Sequence, residues 1–141
     1  MPIFSHVIKM SVGCREAAFS NGGHYFAAVH GNIIQIFSSV TFEPISNMKG
    51  HNGRVRGIVW STDDQKLISC GTDGAVYEWE VATGKRMQEQ VLKGIQYTSA
   101  VMAQNGKSYA TSADGVLREI HEGQILRTVR HAESEIIPLG F

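Results

Sequence analysis

Apolar and polar residues alternate with a period of two along most of this chain, in short runs bounded by Gly, Asn and Asp, which is the pattern of half-buried β-strands. The runs predict strands at Arg15–Phe19, Tyr25–Val29, Asn32–Phe37 and Phe42–Met48, then Val55–Trp60, Lys66–Cys70, Ala75–Val81 and Lys85–Leu92. A third group follows at Ser99–Ala103, Ser108–Ser112, Val116–His121 and Gln124–Arg130, and Ile3–Met10 reads as an opening strand. Turns fall at Asn21-Gly22-Gly23, Asp63-Asp64, Thr83-Gly84-Lys85 and Asn105-Gly106, where Gly or Asn takes positive φ at little cost. No segment carries an apolar stripe at helical spacing, so the expected class is all-β.

Laid on itself, the chain repeats. Gly31, Gly74 and Gly115 recur at steps of 43 and 41 residues, and Asp114-Gly115 falls opposite Asp73-Gly74. The middle repeat has Gly50-His51 before its first strand, Ser69 on its second, Asp73-Gly74 at the next turn and Trp79-Glu80 closing its third. This order resembles the WD40 repeat, whose period is roughly 40–45 residues and which builds one four-stranded blade of a β-propeller. The resemblance implies that His51, Ser69, Asp73 and Trp79 form a buried hydrogen-bond chain tying the inter-blade loop to the blade. Groups of this kind are costly to bury singly. Repeat one has Phe37 near the Trp position and lacks a clear turn Asp, and repeat three keeps Asp114 but has Ile120 there. Those two blades are therefore expected to rely mainly on apolar packing.

The expected architecture is an incomplete, open propeller of about three four-stranded antiparallel sheets, below the roughly four to eight blades that close a ring. Repeat one spans about 12–49, repeat two 50–93 and repeat three 94–131, with the start of a further repeat at 132–141. An open fan leaves the apolar flanks of its terminal blades uncovered. The expectation is thus a fragment or short isoform of a longer protein, two copies completing one another's ring, or a partner supplying the missing blades.

Charge narrows the partners. Lys plus Arg and Asp plus Glu balance at 13 each, so no global field draws nucleic acid or an anionic membrane. No apolar run of membrane-spanning length and no signal-peptide pattern is present in the sequence. Cys14 and Cys70 suit small hydrophobes of a reducing, cytoplasmic compartment better than a disulfide or a metal site.

Catalytic chemistry finds little support. Asn105-Gly106-Lys107-Ser108 ends like a phosphate loop, but Val101 stands where that motif needs Gly. The six histidines, His6, His24, His30, His51, His121 and His131, form no pair at zinc-ligand spacing. Asp63 and Asp64 are adjacent on a turn and point apart, which suits solvation better than acid–base work. No cofactor and no enzymatic activity are expected.

What remains is recognition of other proteins by loops held rigidly on sheets. In WD40 proteins one face is lined by the loop before the first strand and the turn after the second, which here points to Asn52, Arg54 and Thr72. Arg54 is the leading anchor, because Arg is enriched at interface hot spots. Closer similarity lies in Met10–His24, Phe26–Asn32, Lys49–Trp60 and Cys70–Trp79, which resemble the cilia- and flagella-associated WD-repeat family through repeats one and two and less so after Lys93. That resemblance implies a second of two N-terminal propellers in a much longer protein with a coiled coil. It further implies an axonemal adaptor whose partners are inner-arm dynein or regulatory-complex subunits. The alternative is a peptide-binding WD40 segment of another cytoplasmic complex.

Overall fold

A computed structural model describes residues 17–102 and 107–130. Every regular element in it is a strand: β1 Ala17–Phe19, β2 Tyr25–His30, β3 Ile33–Ser38, β4 Pro44–Lys49, β5 Val55–Trp60, β6 Lys66–Gly71, β7 Ala75–Glu80, β8 Arg86–Val91, β9 Tyr97–Met102, β10 Ser108–Ser112, β11 Val116–His121 and β12 Gln124–Arg130. They form three four-stranded antiparallel meanders, β1–β4, β5–β8 and β9–β12. The expected strand Ile3–Met10, the Asn105-Gly106 turn, Cys14 and the segment 132–141 lie outside the described residues.

The middle sheet is buried on both faces, and its sequence alternates between two cores. Leu67, Ala75, Tyr77 and Trp79 pack with Ala27, Val29, Ile34, Ile36 and Met48 of the first sheet. Cys70 and Val76 point the opposite way, against Tyr97, Ala110 and Ile120 of the third. The period of two that sends successive side chains to opposite faces thus fills both interfaces from one strand pair. The outermost strand β8 belongs to neither core and is mostly exposed. Among the described residues the three sheets make an open fan of WD40-type blades.

Two corrections to the strand reading have local causes. Phe42 takes φ 68° in the turn after β3, so β4 begins at Pro44 rather than at Phe42. Strand β9 starts at Tyr97, two positions before the expected Ser99, because Tyr97 pairs with Ser112 across a register shift. The third strand of every sheet carries a bulge against the fourth, at Ile36/Phe37, Glu78/Trp79 and Glu119/Ile120. This recurring defect increases the local twist.

Repeat three also departs from the expectation of mainly apolar packing. Arg118 is buried on β11, donates from Nη1 to Ser112 Oγ at 2.9 Å and lies 5.8 Å from the Tyr97 ring centroid. The Ser112 hydroxyl bonds Asp114, and this bond leads the effects that hold the Asp114 carboxyl below its ordinary range. A guanidinium network therefore occupies this turn. Repeat one does rely on apolar residues, with Phe26, Ile34, Ile36 and Met48 almost fully buried.

Sheets one and two are joined at both ends of their strands. Val55 N donates to Gly31 O at 3.0 Å at one end, and Asp64 receives the Asn21 and Gly22 amides at 2.9 and 2.8 Å at the other. Between them the Trp60 indole donates to Ala18 O at 3.3 Å and lies parallel to Tyr25 at 5.9 Å.

Candidate functional site

The loop joining β4 to β5 brings His51 under the β6–β7 turn, where four sequence-distant side chains meet. His51 Nε2 lies 2.7 Å from Ser69 Oγ, and its Nδ1 lies 3.2 and 3.3 Å from the two Asp73 oxygens. Trp79 Nε1 donates to the same Ser69 oxygen at 2.8 Å. One proton arrangement satisfies all of these contacts: the indole N–H gives to Ser69, the Ser69 hydroxyl gives to Nε2, and Nδ1–H gives to Asp73. The His51–Asp73 contact is a hydrogen bond from a neutral ring, because burial holds the His51 pKa below its ordinary value despite the neighbouring carboxylate. Burial pushes Asp73 the other way. Hydrogen bonds from the Asn52 and Ala75 amides, with His51, outweigh that effect and leave the carboxyl below its usual range.

Several members of this cluster were not singled out by the sequence. Tyr77 lies 4.5 Å from the His51 ring and donates its hydroxyl to Gly50 O at 3.4 Å. Arg86, from the outer strand, stacks its guanidinium 4.5 Å above Tyr77. Asn32 of the first sheet donates its carboxamide to His51 O at 3.2 Å. Of these only Asn32 could have been suspected, from its place beside Gly31 at a turn.

The three surface candidates sit directly above this lock, at one end of the middle sheet. Arg54 N donates to Thr72 Oγ1 at 3.0 Å and Thr72 N donates to Arg54 O at 2.9 Å. Asn52 N donates to Asp73 Oδ2 at 2.8 Å. Asn52 and Arg54 are exposed and Thr72 is half-buried. The geometry divides their roles: the Thr72 hydroxyl holds the Arg54 backbone, while Asn52 and Arg54 are exposed on the loop that it fixes.

The turns on either side are similarly tied. Leu92 N donates to Gly74 O at 2.8 Å, and a Cβ at position 74 would come within 2.0 Å of Leu92 O, so only glycine fits there. Cys70 is fully buried beneath, its thiol pushed up to about 12 by burial and so unsuited to nucleophilic chemistry. Among the described residues, no three of His, Cys, Asp and Glu gather as a metal-ligand set.

The β6–β7 hairpin with its His–Ser–Asp–Trp chain falls inside a segment, residues 42–80, that matches the family model "WD domain, G-beta repeat". The chain belongs to the WD40-repeat family. It is 51% identical over 118 residues to Cilia- and flagella-associated protein 57 of Mus musculus, which covers 83% of this chain and 9% of that relative. It is 37% identical over 127 residues to Cilia- and flagella-associated protein 57 C of Tetrahymena thermophila, covering 80% of the chain and 10% of that protein. WD repeat-containing protein 75 of Homo sapiens is 32% identical over 71 residues, half of the chain. The chain thus spans about a tenth of the length of the two ciliary relatives. WD40 domains generally mediate protein–protein interaction.

Proposed function

We propose that this chain is a non-catalytic docking module of a motile cilium or flagellum, an axonemal adaptor that helps position inner-arm dyneins or regulatory complexes. The observation that carries the reading is its 51% identity to a mouse protein named for cilia and flagella, over 83% of the chain. The repeat bounds in this reading are 12–49, 50–93 and 94–131.

Docking is assigned to the end of the middle blade that presents Asn52 and Arg54, with Thr72 fixing the loop. Two features favour that end. Its loops are bonded to the first blade, through Val55 N to Gly31 O and Asn32 to His51 O, and to the segment after β8, through Leu92 N to Gly74 O, so little ordering entropy is lost on binding. Its exposed arginine sits on a backbone held at two points by Thr72.

The test is proximity labelling in multiciliated cells with the chain fused to a biotin ligase. Enrichment of inner-arm dynein or regulatory-complex subunits, reduced by Arg54→Glu, is the expected result. Labelling confined to proteins outside the cilium would overturn the ciliary reading. Ciliary labelling unaffected by Arg54→Glu would overturn the assignment of the face.

A further inference from the structure

We infer that Asn52 is a site of spontaneous deamidation and isoaspartate formation, selected over the Asn21-Gly22 pair by hydrogen bonding rather than by exposure. Both are Asn-Gly sequences on turns with the asparagine exposed, but Gly22 is exposed and Gly53 half-buried, so solvent access by itself would favour reaction at Asn21. A third pair, Asn105-Gly106, lies outside the described residues. In this chemistry the backbone nitrogen of the glycine attacks the asparagine Cγ. A C–N bond forms, the amide proton is lost and the side-chain nitrogen leaves as ammonia. Water then opens the cyclic imide at either carbonyl, giving aspartate or a backbone routed through the β-carboxyl. Glycine favours the attack because it has no side chain to block it.

At Asn21 both reacting groups are held. The nucleophile, Gly22 N, donates to Asp64 Oδ2 at 2.8 Å. The leaving carboxamide nitrogen donates to Ser61 O at 2.7 Å and to Asp64 Oδ1 at 3.0 Å, and Asn21 N also donates to Oδ1 at 2.9 Å. Reaction there waits on opening of the contact between the first two blades. At Asn52 the only described hydrogen bond is that of its own backbone N–H to Asp73. Among the described residues neither its carboxamide nor Gly53 N takes a hydrogen-bond partner.

The product would alter this end of the blade. A new carboxylate at position 52 adds a negative charge on the residue whose backbone N–H Asp73 Oδ2 accepts. The isoaspartyl form adds a methylene to the backbone between the residue-52 Cα and Gly53 N, and so displaces a glycine with little room beside it, since a Cβ on Gly53 would lie 2.6 Å from Thr72 Oγ1 and 3.0 Å from Asp73 N. This chemistry is independent of the docking reading and of the partner's identity.

The test is to age the folded chain at mildly alkaline pH and follow the tryptic peptides by mass spectrometry with fragment ions that place each modified residue. Peptide 50–54 contains Asn52, and peptide 16–49 contains Asn21. Conversion at Asn52 is expected to run at least about tenfold faster than at Asn21, because the latter reacts only from a locally opened state. In denaturant the two rates should converge, and Asp64→Ala should raise the rate at Asn21 in the folded chain while leaving that at Asn52 unchanged. Equal native rates, or a peptide 50–54 that keeps its amide when folded but loses it when denatured, would overturn the inference.

Discussion

Asp64 of the second blade grips Asn21 of the first, accepting the backbone N–H at 2.9 Å and the carboxamide at 3.0 Å through one oxygen, while its other oxygen takes Gly22 N. To do so Asp64 adopts φ 60°, a conformation that Asp and Asn tolerate better than most residues. Asp64→Ala should cost about 1 kcal/mol, the net worth of exposed hydrogen bonds plus some strain. Asp64→Asn should cost less, since it keeps the backbone preference and one acceptor. Hydrogen exchange at the Asn21 and Gly22 amides is the direct readout: faster exchange in Asp64→Ala is expected, and unchanged exchange would contradict the clasp.

Gly57 sits where the second and third blades come close together. A Cβ there would lie 2.5 Å from Ala100 N and 2.9 Å from Ser99 C, both backbone atoms, and 3.0 Å from Cys70 Sγ. Gly57→Ala is therefore expected to force the blades apart and destabilise the chain by about 1–3 kcal/mol or more. Urea titration checks this, and a variant as stable as the parent would show that the blades shift without cost.

Ser69→Ala removes the one oxygen that both Trp79 and His51 need. Two buried nitrogens lose their partner together, at about 1–3 kcal/mol each. Trp79→Ala should cost about 3–5 kcal/mol through lost volume as well. His51→Ala is expected to destabilise the middle blade by a similar few kcal/mol. Melting temperatures should fall in all three variants.

Acid should weaken the lock in two stages. His51 has a folded pKa below its ordinary 6.5, so the unfolded chain binds that proton more readily, and stability falls as pH drops below about 6.5. Asp73 is also held below its ordinary 3.8, so its contribution is complete above that value and is lost as pH falls through the folded pKa. Both effects carry the same sign. Denaturation measured across pH should show a first decline that His51→Gln removes; a parent curve flat between neutral pH and the carboxylate range would contradict the neutral, buried imidazole.

Much of the fold was legible because its signals are local. The run from Val55 to Trp60 is short and rich in the β-branched and aromatic residues that suit a buried strand, and Asp73-Gly74 needs just the positive φ that glycine supplies. The Gly31, Gly74 and Gly115 spacing could be counted directly. Arg118 was not legible as a buried residue, since a guanidinium in a strand ordinarily points to solvent; its partner Ser112 and the Tyr97 face beneath it are supplied by other strands.

The sequence by itself determined the strand period, the turns and which residue types could build a polar chain in the middle repeat. Only the tertiary structure decided which side chains meet across blades. Arg86 over Tyr77, Asn32 on His51 and Asp64 on Asn21 join residues on different strands or blades, at distances fixed by how three twisted sheets stack. Periodicity sets which face of a strand a residue takes; the packing of whole sheets sets what that face touches.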